Sequence, residues 1–415
     1  MNRCIWYISK YVSPPSDASA GGRGYILMRE LAKLGHDCVI ITSDSNHLAN
    51  APALDATYEL KRIDGLTLCW IKTLKYSSAK SLRRILSWLH FEWRLFWFPK
   101  GRVALPDAVV VSSLSLLTIL NGFWLRKKYG CRLIFEVRDI WPLTITEEGG
   151  FSRSNPLVKA LAFIERLGYK YADEIIGTMP NLQEHVGHVL GYTRKAWCVP
   201  MGIDPDATTD PLEVPQDYKD QYFKKDKFTV AHVGSIGISN ALDVFMKCAE
   251  SSADHENIHF LLVGEGDLKT EYQRRYGHLP NLTFAPKIPK RMVQSLLYEC
   301  DLLYFSVHPS EVWCYGQSLN KVIDYMLSGR PVLASYDGFP SMINEARCGD
   351  FVPAGDVDAL KRKIIDYSKM DAASLSEIGA RGRAWVLEHR MYDALARSYL
   401  EIIFHSARNG LENNA

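Results

Sequence analysis

Short apolar runs alternate with amphipathic segments along the whole chain, a pattern typical of a doubly wound α/β protein. The strands expected in the first half are CIWYIS, DCVIITS, LTLCWIK, DAVVVSS, CRLIFEV, DEIIGTM and AWCVPMG. A Pro-rich and acidic connection begins at Met201, and a second alternation follows in FTVAHVGS, IHFLLVGEG, LTFAPK, DLLYFSV, RPVLASY and DFVPAG. The pattern predicts two Rossmann-like domains, residues 1–203 and 204–385, with a last helix, 386–408, that packs back on the first domain.

Length and composition agree with this division. The 415 residues exceed what one hydrophobic core usually supports. Hydrophobic residues at 47% and charged residues at 23% are ordinary for a soluble globular protein, so we expect disorder only at the ends, as in the tail SARNGLENNA. The net charge of +2 gives no reason to expect a nucleic-acid partner.

The nine cysteines are scattered and form no C-x-x-C pair, which argues against a disulfide framework and against a zinc site. No stretch reaches the ~18 apolar residues of a membrane-spanning helix. We therefore expect a cytoplasmic protein without a metal or other cofactor, whose membrane contact, if it has one, is peripheral.

Glycines follow the first strand of each predicted domain. Gly21, Gly22 and Gly24 precede a helix, where backbone N–H groups could approach a phosphate. We take Gly22 as a candidate contact of a phosphate-containing ligand. The stretch GGRG does not match the dinucleotide fingerprint G-x-G-x-x-G, so a plain flexible loop is an equal alternative.

In the second domain, Gly234 and Ser235 follow a strand, and Gly264 and Glu265 follow the next. Ligands of open parallel sheets bind at the carboxyl ends of the strands, in a cleft that two facing domains would form. These four residues are candidate ligand contacts, and ordinary tight turns are the alternative.

The helix in GQSLNKVIDYMLSGRPVL is the strongest candidate for a ligand site. Asn320, Lys321 and Asp324 share one face by their spacing, while the opposite face is apolar. The backbone of Ser318 and Leu319 would lie at the positive end of the helix dipole, where a diphosphate is stabilised. Lys321 would add a full charge and Asp324 would bind ribose hydroxyls, unless the two form only a surface ion pair.

In the first domain, Arg138 and Asp139 directly follow a strand in FEVRDIWP. One of the two could orient an acceptor hydroxyl or receive its proton, and a structural pair is as probable an interpretation. The pair Asp204 and Asp206 resembles a D-x-D metal motif, but its place in the Pro-rich connection favours a turn.

The segment KSLRRILSWLHFEWRLFWFPKGR has one narrow polar stripe at helical spacing, formed by Arg83, Ser87, His90 and Arg94. Nearly everything else in it is apolar, and its surroundings are basic. We expect an interfacial helix on anionic lipid, with a buried aromatic helix as the alternative. The expected membrane contacts are Arg83, Trp88, Trp93, Arg94 and Trp97.

The order of these motifs resembles the retaining family 4 glycosyltransferases, which have the GT-B fold. The resemblance covers nearly the whole chain and rests on GGRGYILMRELAKLGHDCVIITS, VRDIWP, VPMGID, HVGSIGISNALDVF, LLVGEGDL, LTFAPKIPKRMV and GQSLNKVIDYMLSGRPVL. VRDIWP and NKVIDYMLSGRPV look most like the bacterial branch that includes N-acetyl-L-fucosamine transferases of O-antigen and capsule synthesis. The resemblance implies that the ligand contacts named above bind a nucleotide-sugar donor, and that Ile288, within LTFAPKIPKRMV, is a further contact of that donor.

The chain also departs from the family pattern. Gly316 stands where the family has the first of two glutamates, and Asp324 stands at the second. Ser235 and Asn240 stand where the family has a basic pair that holds the diphosphate, and Met201 replaces an asparagine. The resemblance therefore implies Lys321 as the substitute cation, with Arg138 as a second candidate.

The function implied is metal-independent transfer of a sugar, with retention, from a nucleotide-sugar, by resemblance a UDP-sugar. The implied acceptor is a glycan, or a sugar linked to polyprenyl diphosphate at the inner face of the cell membrane. Two alternatives stay open, a nucleotide-sugar epimerase on the same fold and a non-catalytic subunit that binds nucleotide-sugars.

Overall fold

A computed structural model describes residues 2–12, 14, 21–45, 52–76, 82–208 and 211–405. The chain folds as two units, the first formed by Met1–Asp204 with Tyr392–Ala415 and the second by Pro205–Met391. The tail SARNGLENNA, and with it the last residues of the predicted helix 386–408, lies outside the described residues.

The sheet of the first unit has eight strands in the described residues, in the order β3-β4-β2-β1-β5-β6-β7-β8. Its strands are β1 (Cys4–Ile8), β2 (Asp37–Ser43), β3 (Tyr58–Ile63), β4 (Leu66–Ile71), β5 (Ala108–Ser112), β6 (Arg132–Val137), β7 (Glu174–Gly177) and β8 (Trp197–Cys198). Its helices are α1 (Arg23–Lys33), α2 (Leu82–Phe96), α3 (Thr118–Tyr129), α4 (Leu143–Glu147), α5 (Pro156–Tyr171), α6 (Leu182–Leu190) and α15 (Tyr392–Phe404). All pairings are parallel except that of β3 with β4. Parallel strands are covered on both faces, which is why β1 is apolar and buried throughout.

The edge strand β3 is absent from the expectation based on apolar runs. It pairs antiparallel with β4 through a turn at Asp64 and Gly65, both with positive φ. A strand at the edge of a sheet is half exposed and carries charge, here Lys61 and Arg62, so no apolar run marks it. The Asp-Gly pair between the two strands is the sequence signal that would have found it.

The second unit has a parallel sheet of six strands in the described residues, in the order β11-β10-β9-β12-β13-β14. Its strands are β9 (Phe228–Val233), β10 (Ile258–Val263), β11 (Leu282–Ala285), β12 (Leu302–Ser306), β13 (Val332–Ser335) and β14 (Gly349–Val352). Its helices are α7 (Gln216–Tyr222), α8 (Asp243–Ser251), α9 (Lys269–Tyr276), α10 (Val293–Tyr298), α11 (Asn320–Leu327), α12 (Met342–Ala346), α13 (Val357–Ser368) and α14 (Ala372–His389). Each strand lies in a segment that its apolar run predicts.

The C-terminal region differs from the single helix expected over 386–408. Helix α14 ends at His389, and α15 begins at Tyr392, whose backbone N–H donates to Ile203 O at 3.0 Å. That bond takes the place of a helical one, so the helix is interrupted. Helix α15 then packs beside α1 in the core of the first unit, with Tyr399 and Ile403 fully buried.

A buried charged cluster fastens α15 to this core. Glu136 on β6 accepts from Arg23 Nη1 at 2.8 Å, from Tyr7 OH at 2.5 Å and from Tyr399 OH at 3.1 Å. The Arg23 and Glu136 side chains have no exposed surface. Burial opposes ionisation of Glu136, yet the charges of Arg23 and Arg138 and the hydrogen bonds from Tyr7 and Tyr399 together outweigh it and keep the pKa of the carboxyl below its usual value. Breaking a buried pair of this kind typically costs ~3–5 kcal/mol.

Candidate functional site

Helix α11 sits between β12 and β13 and is fixed by its apolar face. Val322, Ile323 and Met326 are buried against the unit. The Tyr325 hydroxyl donates to Val233 O at 3.0 Å and accepts from Val233 N at 2.9 Å. Because these contacts anchor the helix to the end of β9, its first turn lies at the carboxyl edge of the sheet, where ligands of such sheets bind.

Lys321, in the first turn of α11, is a half-buried cation. Its Nζ donates to Asn240 Oδ1, and Asn240 Nδ2 in turn donates to Ser235 O at 2.8 Å. No carboxylate within the described residues forms an ion pair with it. Burial lowers the pKa of Lys321 to about 8, as expected for an ammonium without a counter-ion. The structure therefore brings together Lys321, Ser235 and Asn240, and leaves a positive charge uncompensated among them.

Asp324 does not pair with Lys321. Its Oδ2 accepts from Lys290 Nζ at 2.5 Å, and both side chains retain exposed surface. The surface pair that the sequence allowed is thus formed with a lysine thirty-four residues away in sequence. An exposed pair contributes only ~0–1 kcal/mol, so a ligand could displace Lys290 at little cost.

The glycine loops after β9 and β10 pack against each other. A Cβ at Gly264 would lie 1.8 Å from Gly234 O, and one at Gly266 would lie 2.3 Å from Ile236 O. Gly234 N donates to Val263 O, and Ile236 N donates to Glu265 O, both at 2.9 Å. Close loop contact therefore accounts for these glycines, and the N–H groups of Gly234 and Ile236 are already used.

The Glu265 carboxylate is also occupied in this structure. Lys269, one helical turn further, donates to Glu265 Oε1 at 2.8 Å and to Gly264 O at 2.8 Å. The hydrogen bond from Lys269 lowers the pKa of Glu265, so the carboxyl is ionised at neutral pH. A ribose contact at Glu265 stays a prediction.

The other predicted donor contacts in the second unit lie in two segments. Leu319 is the N-cap residue of α11, Asn320 is its first residue and is exposed, and Ser318 precedes them half-buried. Ile288 is half-buried in the segment after β11. Their contacts with a donor stay predictions.

Two buried polar residues near α11 are missing from the sequence-based set. His232 on β9 is fully buried, and its Nδ1 lies 3.2 Å from Tyr304 O, which fixes Nδ1 as the protonated nitrogen. Burial lowers the pKa of His232 to about 3, so the ring is neutral. Gln317 precedes α11, and its Oε1 accepts from Leu319 N at 3.2 Å. A histidine inside an apolar strand and a glutamine after Tyr-Gly are the only signals the sequence offers.

In the first unit, Arg138 and Asp139 follow β6, and both are held through Ser113. Arg138 N donates to Ser113 Oγ at 3.0 Å, and Ser113 Oγ donates to Asp139 O at 3.1 Å. The described residues contain no ion pair between the two side chains, so a structural Arg-Asp pair does not explain them. Asp139 is exposed at the carboxyl edge of its sheet, where an acceptor base would lie.

The glycines after β1 have a packing role. A Cβ at Gly24 would meet the Tyr7 ring at 2.4 Å, so this glycine lets α1 approach β1. Gly22 is the N-cap residue of α1, and Arg23 turns inward to Glu136. Phosphate contact at Gly22 stays a prediction.

Helix α2 exposes several large apolar side chains to solvent, although Phe91 and Leu95 on its other side are buried. Trp93 and Trp97 are 61% and 64% exposed. Leu86, Leu89 and Phe96 are exposed as well, at spacings that place them on the same side as Trp93. We call Leu86, Leu89, Trp93, Phe96 and Trp97 the outer face of α2.

Two polar residues of α2, Ser87 and Glu92, form hydrogen bonds within the unit. Ser87 is fully buried, accepts from Lys10 Nζ at 3.0 Å and donates to Leu74 O at 2.7 Å. Glu92 accepts from Thr118 Oγ1 at 2.6 Å and from Asn121 Nδ2 at 2.8 Å. Burial raises the pKa of Glu92 to about 7. Internal hydrogen bonds of Ser87 and Glu92 therefore fix the orientation of the helix on the unit.

Two of the expected membrane contacts also form hydrogen bonds within the unit. Trp88 Nε1 donates to Tyr11 OH at 2.6 Å, and its ring packs edge-on against Trp141. Arg94 donates to the carbonyl of Lys72. Arg83, by contrast, is exposed with the outer face.

A cavity with a volume of about 440 Å³ lies elsewhere. It is lined by the start of β2, by β3 and by residues 101–104 of the first unit. Since these residues include the amino ends of parallel strands, the cavity is not at the carboxyl edge where the candidate residues gather.

No group of three or more His, Cys, Asp and Glu side chains in the described residues could hold a metal ion. Asp204, from the D-x-D stretch, pairs with Arg29 Nη2 at 2.6 Å. None of the described helices combines the length and the apolarity needed to cross a membrane.

Comparison with known proteins identifies both units. Residues 25–207 match the model "Glycosyltransferase Family 4", and residues 227–369 match the model "Glycosyl transferases group 1". No curated protein matches the chain by sequence.

Solved structures match the chain over nearly its whole length. Sucrose-phosphate synthase from Thermosynechococcus elongatus has a TM-score of 0.71 at 18% identity, covering 98% of this chain and 100% of its own. The UDP-forming α,α-trehalose-phosphate synthase from Burkholderia vietnamiensis has a TM-score of 0.68 at 14% identity, covering 97% and 98%. HepE from Anabaena, solved with UDP and glucose, has a TM-score of 0.63 at 13% identity, covering 96% and 99%. These likenesses confirm the predicted GT-B fold.

Proposed function

We propose that this chain, which belongs to the family 4 type of glycosyltransferases with the GT-B fold, transfers a sugar with retention from a UDP-sugar to a lipid-linked glycan acceptor. The observation that carries the proposal is the uncompensated ammonium of Lys321 in the first turn of α11. The complexes of the similar HepE with UDP and with UDP-glucose support UDP as the nucleotide.

The diphosphate supplies the missing negative charge. The first N–H groups of a helix have no partner within it, and they form the positive end of its dipole. Lys321 stands beside them at the same helix end. Together they present cationic and hydrogen-bonding groups to an anion, which is the arrangement expected for a diphosphate.

The same groups serve the chemical step. Cleavage of the bond between the sugar and the diphosphate leaves negative charge on the β-phosphate. Lys321, already in position, stabilises that charge as it develops. In a front-face reaction the acceptor hydroxyl attacks from the side of the leaving group, so no protein nucleophile is needed. We propose that the reaction is independent of metal ions, because Lys321 and the helix N-terminus take the role of a cation.

On the first unit we propose that Asp139 receives the acceptor proton and that Arg138 contributes positive charge. Asp139 is exposed, and its backbone is fixed by Ser113, which suits a base that must meet a substrate. Exchange of Asp139 for Asn keeps its shape and removes the base, so it should lower turnover without affecting UDP binding.

The outer face of α2 supports a lipid-linked acceptor. It exposes two tryptophans, one phenylalanine and two leucines beside Arg83, a composition that suits the boundary between headgroups and acyl chains. We propose peripheral attachment to the anionic inner face of the cell membrane, with a polyprenyl-diphosphate-linked sugar as the acceptor in O-antigen or capsule synthesis. A lipid-linked substrate would then lie at the surface where the enzyme is anchored.

The first test is binding. Calorimetry of the full chain with UDP, GDP, ADP and their glucose conjugates should show binding of UDP and a UDP-sugar. Absence of binding to all of them would contradict the proposed function.

The second test is turnover. Incubation of the protein with the UDP-sugar alone should leave the sugar unchanged, and addition of a polyprenyl-diphosphate sugar should release UDP. Conversion of the donor without acceptor would instead indicate an epimerase, and binding without release of UDP would indicate a non-catalytic subunit.

A further inference from the structure

Gln317 combines deep burial with an unsatisfied hydrogen-bond donor. The residue is 5% exposed. Its amide oxygen accepts from the backbone N–H of Leu319, the N-cap residue of α11. Its amide nitrogen has no hydrogen-bond partner among the described residues. The bond to Leu319 fixes the orientation of the amide and so identifies the unsatisfied atom as the N–H₂ group.

The position of this amide is set by the same bond. The Gln317 amide oxygen that accepts from Leu319 N lies at the N-terminus of α11. The amide nitrogen is bonded to the same carbon, so it lies at the same place. Lys321 lies two residues after Leu319, in the first turn of α11. Gln317 Nε2 and Lys321 Nζ therefore belong to one end of one helix.

The chemistry of the missing partner follows from these groups. An amide N–H₂ only donates, an ammonium only donates, and the first N–H groups of a helix are donors as well. Buried donors are rarely left unpaired in proteins, because the loss of water is not repaid. A ligand that satisfies this end of α11 must therefore present several acceptor oxygens and negative charge.

We propose that Gln317 Nε2 donates a hydrogen bond to an oxygen of the donor's diphosphate, which makes Gln317 a binding residue beside Lys321. The inference rests on the proposed function, since it assumes that a nucleoside diphosphate occupies this site. It adds a neutral side-chain donor to a site for which the sequence suggested Lys321, backbone amides and, as a second cation, Arg138.

Two substitutions at this position separate the possible roles of the amide. Gln317→Glu retains an oxygen for Leu319 N and replaces the N–H₂ group by a charged acceptor. Gln317→Met keeps the length of the side chain and removes both functions. We expect the Kd for UDP to rise about tenfold in Gln317→Glu and about threefold in Gln317→Met, with circular dichroism unchanged.

The matched control is Gln273→Glu. Gln273 is an exposed glutamine on α9, in the same unit. The control adds the same charge to the chain, and its Kd for UDP should equal that of the wild type.

Three results would overturn the inference. One is a wild-type Kd for UDP in a folded Gln317→Met variant. Another is weaker binding of UDP-glucose with unchanged binding of UDP, which would assign Gln317 to the sugar. The third is a wild-type protein that binds none of UDP, GDP and ADP, and that result alone also removes the proposed function.

Discussion

Helices α11 and α2 are both amphipathic, yet the surface that each leaves outside the core differs, being polar in α11 and rich in large apolar side chains in α2. Helix α11 buries Val322, Ile323 and Met326 and turns Lys321 and Asp324 toward the edge of its sheet. Helix α2 buries Phe91 and Leu95 but exposes the five apolar residues of its outer face, while Ser87 and Glu92 form hydrogen bonds within the unit. An amphipathic pattern therefore shows that a helix has two faces, but the partners available in the fold decide which face is covered.

The difference has a physical cause in the partners of the polar groups. In α2, Ser87 is hydrogen-bonded to Lys10, and Glu92 is hydrogen-bonded to Thr118 and Asn121, so these polar side chains have hydrogen-bond partners within the unit. In α11, Lys321 finds only the neutral Asn240, so its charge is left uncompensated. The first arrangement leaves an apolar surface exposed, and the second leaves a positive charge uncompensated.

The largest effect should come from loss of the charge on α11. Lys321→Ala should lower the turnover number by tenfold or more while the fold persists, because the developing phosphate charge loses its cation. Initial rates with the UDP-sugar and acceptor measure it. Lys247→Ala, an exposed lysine on α8, is the matched control and should leave the rate unchanged. A near-wild-type rate in Lys321→Ala would separate Lys321 from the phosphate site.

The next effect concerns the outer face of α2. The double substitution Trp93→Glu/Trp97→Glu should lower the fraction of protein that floats with anionic vesicles about tenfold, because two exposed indoles leave the interface and two negative charges enter it. Liposome flotation with circular dichroism measures binding and folding together. Tyr192→Glu, an exposed aromatic residue of the same unit, serves as the control. Equal flotation of the double variant and the wild type would contradict a membrane role for this face.

A smaller effect is expected from pH. Burial lowers the pKa of Lys321 to about 8 in the free protein, so the ammonium is charged at pH 7 and increasingly neutral above pH 8. UDP requires the charged form, and its affinity should fall about fourfold between pH 7 and 8.5. Calorimetry across this range measures the change, and Lys321→Ala should abolish it. The same slope in that variant would assign the titration to another group.

The smallest effect is expected at Asp324. Asp324→Ala should weaken UDP binding about threefold, since a ribose contact is lost and the exposed pair with Lys290 contributes little. Calorimetry with UDP measures the loss. Lys290→Ala removes the other partner of the pair and should leave UDP affinity nearly unchanged. Unchanged affinity in Asp324→Ala would exclude the ribose contact.

Most of the fold is readable from the sequence because parallel strands are covered on both faces. Runs such as CIWYI, and IHFLLV apart from His259, are then apolar, and each forms a buried strand. Strand β3 is not marked by an apolar run because it lies at an exposed edge of the sheet. The break between α14 and α15 is not predicted because a backbone hydrogen bond to Ile203, remote in sequence, interrupts the helix.

The sequence likewise predicts one part of the candidate site and not the other. Local spacing places Lys321 and Asp324 on one face of α11, and it predicts the glycine loops after β9 and β10. It does not pair Lys321 with Asn240 or Asp324 with Lys290, because these contacts join residues 81 and 34 positions apart. It also gives no hint that Gln317 is buried, since a glutamine is ordinarily a surface residue.

The sequence by itself therefore determined the alternation of strands and helices, the family type and the helix that carries the candidate lysine. These properties follow from periodicity and from short-range motifs. Only the tertiary structure decided which face of α2 is exposed, which groups neutralise one another and which donors stay unsatisfied. Burial and hydrogen bonding are settled by whatever the fold brings next to a side chain, and no local pattern contains that information.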